Sequence, residues 1–307
     1  MDLFKYFVAV FETDFAPRML WRRGWIALDR FRLAYDIAGQ GRVVVFLSGG
    51  PGHGPGYLLP LANSVAQPGW RPVLFHQRGT GRSPVQPGTP LTVRQAAGDL
   101  VLLAEHLGVT QMVLVGHGYG ATLALLVAAL FPDLVGGAVL IGPGPLDEQL
   151  ATRADTEVYA RLTEAGRAAL HSAEARRDAA AACGDWPTMH GAMLEVMGLQ
   201  APAYVHEPAA RQRWQRELAE EFDHDPYTHA VLTSSLTGID QRAMARAVRC
   251  PVHILQGALD FHPIDNVEAL RLSLPRATVT VIPGAAHLAW ADQPDQVTGV
   301  VRAAMRC

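Results

Sequence analysis

Short apolar runs alternate with helix-like segments along most of this chain, and that alternation limits the fold more than any other sequence feature. From Trp25 onward, runs rich in Val, Ile and Leu are separated by segments whose apolar residues follow helical spacing. Strands that alternate with helices form a mostly parallel sheet covered by helices on both faces. The predicted strands are 25–29, 31–37, 43–48, 72–76, 112–116, 137–141, 251–256 and 277–282, and the predicted helices are 91–107, 120–131, 265–273 and 292–305.

The alternation stops after Gly144, where some ninety residues hold no convincing strand but several helix-like stretches rich in Ala, Arg and Glu. We therefore predict a helical cap, or lid, over 145–240. It is inserted into a core formed by 24–144 and 241–307. Residues 1–23 are predicted to form a helical N-terminal extension that packs on the body of the protein.

Composition excludes several classes of function. The 26 basic and 29 acidic residues give a net charge of −3 without a basic run, so we expect no nucleic-acid partner. No apolar stretch approaches the roughly 20 residues of a membrane helix, so we expect no membrane partner either. The predicted partner is a small-molecule substrate, and the sequence gives no indication of oligomeric state.

The spacing of the cysteines and histidines gives expectations for the cellular compartment and for metal or other cofactors. Cys183, Cys250 and Cys307 are far apart and the N-terminus does not resemble a signal peptide, so we expect a cytoplasmic protein. The twelve histidines are scattered without ligand spacing, which predicts no metal site. The G-x-G-x-G segment at 116–120 lacks the third-glycine spacing of a dinucleotide loop, so no cofactor is expected.

Glycines alternate with other residues where the fifth predicted strand ends, in Gly116-His117-Gly118-Tyr119-Gly120. A strand that passes through such glycines into a helix is the setting of the G-x-S-x-G turn, which presents a nucleophilic serine at positive φ. Here the central residue is Gly118, which adopts positive φ without strain but has no side chain to attack a carbonyl. The geometry of this turn predicts that the flanking His117 and Tyr119 side chains point away from the nucleophile position.

Two further glycine-rich segments follow the third and fourth predicted strands. The loop Ser48-Gly49-Gly50-Pro51-Gly52 leaves backbone N–H groups free to bind an anion, as an oxyanion hole requires. The next loop is His76-Gln77-Arg78-Gly79-Thr80-Gly81-Arg82-Ser83. In it, His76 is expected to hydrogen-bond the backbone, and Arg78 and Arg82 to anchor the loop.

In this order, SGGPG, HQRGTGRS and GHGYGA resemble the motifs HGGPG, DQRGxGxS and GxSxGG of the α/β-hydrolase superfamily, in its prolyl iminopeptidase-like branch. The resemblance covers the chain from about residue 24 to the end. It implies an α/β-hydrolase fold with an eight-stranded, mostly parallel sheet, helices on both faces and an inserted helical cap. Ser48 stands at the family's His, His76 at its Asp and Gly118 at its nucleophile. The resemblance also implies an oxyanion hole formed by the backbone N–H groups of Gly50 and Tyr119.

An acid and a base follow the last two predicted strands. The strand 251–256 leads to Asp260 and the strand 277–282 leads to His287. The order of nucleophile position, acid and base is the order of this fold. A carboxylate that accepts one ring N–H fixes the tautomer of His287 and leaves its other nitrogen as a base. The alternative is a relic pair that persists as a satisfied hydrogen bond.

Further residues are candidates for the pocket. Ser48 is either a polar pocket group or a loop hydrogen-bonding residue, the latter being its ordinary role. The other candidates are His117, Trp186 and Trp214. In the iminopeptidases that this sequence resembles, cap glutamates receive the substrate's amino terminus, but Glu217, Glu220 and Glu221 are expected to form a solvated helix face.

Three functions remain open. In the first, which we favour, an enzyme uses a His287–Asp260 dyad and a backbone oxyanion hole without a serine acyl-enzyme. The base then activates water for hydrolysis or takes a proton from the substrate in lyase, isomerase or cyclase chemistry. In the second, a pseudohydrolase binds a small ligand without turnover. In the third, the chain is an inactivated aminopeptidase or esterase in which Gly118 replaces serine, naturally or by engineering.

Overall fold

An eight-stranded sheet positions every loop that the sequence analysis singled out. The computed structural model describes residues 20–28, 31–220 and 222–306. The strands are β1 (Arg22–Ala27), β2 (Arg32–Ile37), β3 (Gly41–Leu47), β4 (Gly69–Phe75), β5 (Met112–His117), β6 (Val135–Ile141), β7 (Val252–Gly257) and β8 (Ala277–Ile282). They lie in the order β1-β2-β4-β3-β5-β6-β7-β8. β2 pairs antiparallel with β1 and β4, and the other neighbours pair in parallel.

Alternate side chains of the central strands enter two apolar clusters, one on each face of the sheet. In β3, Val43, Val45 and Leu47 join one cluster, whereas Val44 and Phe46 join the other. All five side chains are at most 1% exposed. Because neighbouring side chains of a strand point to opposite faces, both faces of the sheet are covered. The predicted fold class is confirmed.

Helices occupy the connections between the strands. After a single 3₁₀ turn at Pro55–Leu58, they are α1 (Leu59–Val65), α2 (Val93–Leu107), α3 (Tyr119–Leu130), α4 (Glu148–Ala160), α5 (Glu164–Cys183), α6 (Trp186–Leu199), α7 (Ala201–Tyr204), α8 (Pro208–Glu220), α9 (Pro226–Leu236), α10 (Gln241–Ala247), α11 (Ile264–Ser273), α12 (Ala289–Asp292) and α13 (Pro294–Ala304). Within the described residues, no helix is both long and apolar enough to cross a membrane.

Helices α4 to α10, residues 148–247, lie between β6 and β7 and are called the helical segment below. The segment has a small apolar core that includes Val158, Leu170 and Val196. Phe261, from the loop after β7, belongs to the same cluster. The helical segment therefore packs directly against the loop that carries Asp260.

The predicted strands and helices are all present, with shifted ends. β3 and β4 begin at Gly41 and Gly69, before the predicted 43 and 72. Helix α1 was not predicted, because its seven residues include a proline in the first turn and are too few to show helical spacing.

The N-terminal extension predicted over 1–23 lies mainly outside the described residues, which begin at Leu20. Arg22 and Arg23 already belong to β1, where they pair with Ile37 and Asp36 of β2. The predicted boundary between extension and core, after residue 23, is therefore wrong for these two residues.

Replacing Gly120 by Ala tests the close packing of α3 on the sheet. A Cβ on Gly120 would lie 2.1 Å from the carbonyl oxygen of Leu47, so the backbone must shift. We expect Gly120→Ala to lower the free energy of unfolding by about 1–3 kcal/mol, measured in urea. The matched control is Gly98→Ala in α2, where a Cβ meets nothing within 4 Å. The control should be neutral or gain up to about 1 kcal/mol, and equal losses in both variants would contradict the packing argument.

Candidate active site

Three glycines lie in or beside the turn between β5 and α3, one for its backbone conformation and two for close backbone packing. Gly118 has φ 54° and ψ −118°, a conformation that favours glycine. A Cβ on Gly116 would lie 2.2 Å from the carbonyl oxygen of Gly120, and one on Gly120 would collide with Leu47. The strand and the helix therefore meet at backbone contact, and the positive φ predicted for Gly118 is present.

Asp260 and His287 lie beside Gly118 and form a hydrogen-bonded pair. Asp260 follows β7 and His287 follows β8, with His287 Nδ1 2.9 Å from Asp260 Oδ2. Because an ionised carboxylate can only accept, Nδ1 carries the proton and Nε2 keeps a lone pair. A Cβ built on Gly118 would lie 3.7 Å from that Nε2, an ordinary contact distance. The fold therefore brings together the residues predicted as acid, base and nucleophile position.

Two residues that the sequence analysis missed support this pair. Gly142, at the end of β6, has φ 51°, and a Cβ there would lie 2.8 Å from His287 Nδ1. The backbone N–H of His262 donates to Asp260 Oδ1 over 2.9 Å. Burial alone would raise the pKa of Asp260, but the charge of His287 and the hydrogen bond and charge of His262 hold it well below its usual range. Asp260 is therefore ionised near neutral pH, the form that accepts the ring N–H of His287.

Asp292, at the end of α12, holds the loop that carries His287. Its Oδ2 accepts hydrogen bonds from the backbone N–H groups of Ala286, over 2.8 Å, and His206, over 3.1 Å. Its Oδ1 accepts from the N–H of Glu207 over 2.7 Å. Asp292 thus joins the His287 loop to the helical segment, and no sequence motif indicated this role.

Aromatic rings surround the His287 imidazole. The Tyr204 ring meets it edge-on with ring centres 5.3 Å apart, and the Phe261 ring lies 4.9 Å away. Burial and the charge of Asp260 raise the pKa of Tyr204 to about 12, so its hydroxyl stays protonated. The base is therefore held between an apolar ring of the core and a neutral ring of the helical segment.

His117 packs against His287, and the prediction that its side chain points away from the nucleophile position is wrong. The two ring centres are 4.5 Å apart, and His117 Nδ1 lies 2.9 Å from the Tyr57 hydroxyl. The ring fits here because Gly49 has no side chain: a Cβ there would lie 3.3 Å from His117 Nδ1. Burial, reinforced by the charge of His287, holds the pKa of His117 well below its usual value. Tyr119, by contrast, packs its side chain into the apolar core.

The predicted oxyanion donors belong to the loop after β3 and to the start of helix α3. Gly50 has φ 106°, and Tyr119 is the first residue of α3, where backbone N–H groups have no acceptor within the helix. The Gly49 N–H donates to the Tyr57 hydroxyl over 2.7 Å. Ser48 is fully buried, and its Oγ donates to the His53 carbonyl over 2.6 Å. Ser48 thus makes a hydrogen bond within the loop.

The two candidate tryptophans lie in different surroundings. Trp214 is 5% exposed, with its ring 6.2 Å from Tyr57 and 5.2 Å from Phe222. Trp186 is half-buried and packs edge-on against Tyr227, whose hydroxyl donates to the carbonyl of Thr89. Trp214 therefore joins the ring cluster next to the predicted oxyanion loop, whereas Trp186 packs on α9.

The predicted cap acids are on α8 or just beyond it. Glu220 is exposed and Glu217 is half-buried, whereas Glu221 lies outside the described residues. The exposure of Glu220 agrees with the predicted solvated face.

The loop 76–83 is fixed by contacts with two carboxylates, those of Asp36 and Asp99. His76 Nε2 lies 3.0 Å from Asp36 Oδ2, and Arg82 lies 2.5 Å from Asp36 Oδ1. Arg78 binds Asp99 of α2 with both its Nε and a terminal nitrogen. His76 accepts the backbone N–H of Arg82 as predicted, but its main partner is the Asp36 carboxylate, which sequence spacing could not indicate.

Ligand atoms suitable for a metal also meet in this site. Of the described residues, Asp260, His262 and His287 have ligand atoms within 4.8 Å of one another. The prediction of no metal site rested on sequence spacing, which does not detect ligands gathered from different loops. In this trio, the Asp260 oxygens already accept hydrogen bonds from His262 and His287, an arrangement that orients a base.

A surface cleft of about 640 Å³ opens beside Asp260. Its walls include Arg153 and Glu157 of α4, together with Phe261 and His262. Gly118 and His287 do not line it. The cleft is therefore on the acid side of the pair.

Comparison with known proteins assigns the family. Residues 42–294 match a family described as alpha/beta hydrolase fold, and the chain belongs to that family. A proline iminopeptidase from Xylella fastidiosa is 27% identical over 292 residues, covering 86% of this chain and 90% of the relative. An epoxide hydrolase from Caballeronia sordidicola is 32% identical over 143 residues, covering 46% of this chain and 42% of the relative.

A likeness to solved structures supports the same fold. The crystal structure of VinJ has a TM-score of 0.75 at 20% identity, covering 93% of this chain and 98% of its own. The resemblance to α/β-hydrolases with iminopeptidase relatives is confirmed at the level of the family.

The contact between Asp36, His76 and Arg82 predicts a pH-dependent stability. Burial alone would raise the pKa of Asp36, but the hydrogen bond from His76 and the charge of Arg82 hold it below its usual value of 3.8. A carboxyl group with a depressed folded-state pKa stabilises the fold above its unfolded pKa and loses that contribution as the pH falls. Asp36→Asn should therefore unfold more easily than the wild type at neutral pH, and the difference should shrink below about pH 4. Urea unfolding at several pH values measures both, and a difference that widens in acid would contradict the assignment.

Proposed function

We propose that this chain is an enzyme that acts on a small organic substrate by general base catalysis from His287, oriented by Asp260, without a serine acyl-enzyme. The observation that carries this proposal is the position of His287 Nε2. It lies 3.7 Å from where a Cβ of residue 118 would be, while Nδ1 is engaged by Asp260 over 2.9 Å. In this proposal Gly118 takes the place of the nucleophile, and the room left by a serine side chain holds a water molecule or a substrate hydroxyl.

The hydrolytic form of the reaction follows from this arrangement. His287 Nε2 takes a proton from the water as the water oxygen attacks the electrophilic carbon of the substrate. The electron pair of the carbonyl moves onto its oxygen, which the backbone N–H groups of Gly50 and Tyr119 stabilise. When the carbonyl re-forms, the leaving group departs and takes the proton back from His287. Asp260 stays ionised and stabilises the imidazolium throughout.

The same base supports a non-hydrolytic reaction. If the bound group is a substrate C–H or O–H next to a carbonyl, His287 removes that proton and the oxyanion donors hold the resulting enolate or alkoxide. Lyase, isomerase and cyclase chemistry all begin in this way. The substrate decides between the two forms, and we propose that the cap over 145–240, which contains most of the helical segment, selects it.

The size of the expected rate enhancement restricts the class of substrate. A positioned base contributes about 10²–10⁴-fold to rate. In a serine protease whose triad has been removed, the oxyanion hole and binding still give roughly 10³–10⁴-fold over water. These factors suit an activated ester, carbamate or acidic C–H, and they are too small for an ordinary peptide bond.

A second candidate function is that of an inactivated aminopeptidase or esterase. The space around Gly118 favours it. A Cβ built on Gly118 would lie 3.7 Å from His287 Nε2 and 3.8 Å from Gly49 Cα, which are ordinary contact distances. The site would thus accept a serine, as in the serine hydrolases that the sequence resembles. If neither candidate function shows activity, the remaining interpretation is a pseudohydrolase, which binds its ligand without turnover.

His287→Ala tests the proposed base. On a panel of aryl esters, carbamates and aryl amides, the variant should lose about 10²–10⁴-fold of any turnover that the wild type shows, because no other group takes the proton. His171→Ala is the matched control, since it removes an exposed histidine of α5. Product release over time is the measurement. Turnover that persists unchanged in His287→Ala would rule out this base.

Gly118→Ser tests whether the dyad and the oxyanion donors are assembled. At φ 54° and ψ −118° the serine should cost about 1–3 kcal/mol of stability but find room. We expect the variant to react covalently with a fluorophosphonate probe, whereas the wild type does not. Gly118→Ala imposes the same backbone strain without a hydroxyl and should stay unlabelled. A folded serine variant that resists the probe would count against both candidate functions.

A further inference from the structure

The buried hydroxyl of Tyr57 lies between the loop after β3 and the turn that carries Gly118. Tyr57 follows that loop in a single 3₁₀ turn and is 8% exposed. The Gly49 N–H donates to its hydroxyl over 2.7 Å, and His117 Nδ1 lies 2.9 Å from the same oxygen. Gly49 directly precedes Gly50, and His117 directly precedes Gly118. The hydroxyl therefore joins the peptide before a predicted oxyanion donor to the side chain before the nucleophile position.

The direction of these two hydrogen bonds follows from their donors and acceptors. Burial raises the pKa of Tyr57 well above its usual value, so the hydroxyl keeps its proton at neutral pH. The Gly49 N–H can only donate, so it uses a lone pair of the hydroxyl oxygen. Within the described part of the chain, the hydroxyl proton then has one acceptor in reach, His117 Nδ1. The hydrogen bonds run from the Gly49 N–H through the Tyr57 hydroxyl to His117.

His117 is a rigid acceptor for this chain of hydrogen bonds. Burial holds its pKa well below the usual value, and the charge of His287 adds to the effect, so the ring is neutral. A neutral imidazole has one N–H and one lone pair, and a lone pair on Nδ1 leaves the proton on Nε2. The ring centre of His117 lies 4.5 Å from that of His287 and 4.8 Å from that of Trp290. Contacts with two rings from the last loop of the core thus fix the orientation of His117.

The close approach of these groups depends on the absence of a side chain at Gly49. A Cβ there would lie 3.1 Å from the Tyr57 hydroxyl oxygen and 3.3 Å from His117 Nδ1, both tighter than ordinary contacts. Any larger residue would push the hydroxyl and the imidazole away from the backbone. The glycine therefore allows its own N–H to reach the hydroxyl.

Successive residues of the loop have different supports. Gln77 Nε2 donates to the carbonyl of Ser48 over 2.9 Å and to its Oγ over 3.0 Å, so Ser48 is held without Tyr57. Gly49 is held by the Tyr57 hydroxyl. The N–H of Gly50, by contrast, has no acceptor among the groups that the structure describes. The loop is thus tied up to Gly49 and presents its next N–H unpaired.

We propose that Tyr57 is a positioning residue that, supported by His117, fixes the peptide of Gly49 and so aims the N–H of Gly50 at the substrate oxygen. This inference rests on the proposed function, in which that N–H stabilises the oxyanion. A donor is effective only within about 2.7–3.1 Å of the place where the oxyanion forms. A loop released at Gly49 therefore loses stabilisation although every donor remains.

Tyr57→Phe tests the proposal, because it removes the hydroxyl and keeps the ring. The variant is combined with Gly118→Ser, and the second-order rate of labelling by a fluorophosphonate is measured between about pH 5 and 9, across the usual range of a histidine. We expect the plateau rate to fall roughly tenfold, less than the 10²–10³-fold loss that follows deletion of a donor. The pH of half-maximal rate should stay unchanged, because His287 is untouched.

Tyr35→Phe is the matched control. Tyr35 is also 8% exposed, and its hydroxyl also bonds a histidine, lying 3.1 Å from His106 Nε2. In the Gly118→Ser background it should keep the labelling rate. Hydrogen–deuterium exchange of the peptide 48–54 gives a second readout that needs no reaction. In the chain that keeps Gly118, this peptide should exchange faster in Tyr57→Phe than in Tyr35→Phe.

The two readouts separate this inference from the proposed function. The inference is overturned if Tyr57→Phe matches Tyr35→Phe in either readout, or if its slower labelling comes with a shifted pH of half-maximal rate. If Gly118→Ser never reacts, the proposed function fails, and exchange of the loop alone decides whether Tyr57 anchors it.

A second pair of variants is used if Tyr57→Phe does not fold. His117→Leu removes the acceptor of the hydroxyl proton, whereas His117→Asn keeps an acceptor oxygen near the place of Nδ1. We expect His117→Asn to label faster, and its peptide 48–54 to exchange more slowly, than His117→Leu. Equal behaviour of the two variants would overturn the inference.

Discussion

The hydrogen bond between His287 and Asp260 is the interaction on which the rest of the site depends. A buried carboxylate is costly unless it is paired, and here it accepts from the ring of His287 and from the backbone of His262. Gly142 leaves the space that both side chains occupy. The pair fixes which nitrogen of His287 carries the proton, and in the proposed mechanism the lone pair on the other nitrogen acts as the base.

In the proposed mechanism, the lack of a side chain at Gly118 determines what that lone pair can do. In a serine hydrolase the base activates a hydroxyl that is attached to the protein. With Gly118, the proton must come from a water molecule or from the substrate itself. Gly116 and Gly120 hold strand β5 and helix α3 at backbone contact, so the frame of the site does not depend on a side chain at position 118.

The sequence predicted the sheet well because strands buried on both faces are continuous apolar runs bounded by glycine. It also predicted Asp260 and His287, since each follows a predicted strand of the sheet. The orientation of His117 was wrong because it depends on Gly49 and on the Tyr57 hydroxyl, which are distant in sequence.

Intact-protein mass spectrometry during turnover tests the central claim most directly. The wild type is mixed with an activated aryl ester, quenched while the aryl alcohol is being released, and weighed. We predict that product forms while the mass of the protein stays that of the unmodified chain, because the base delivers water without an acyl-enzyme. An acyl adduct that appears and decays at the rate of product release would contradict the account.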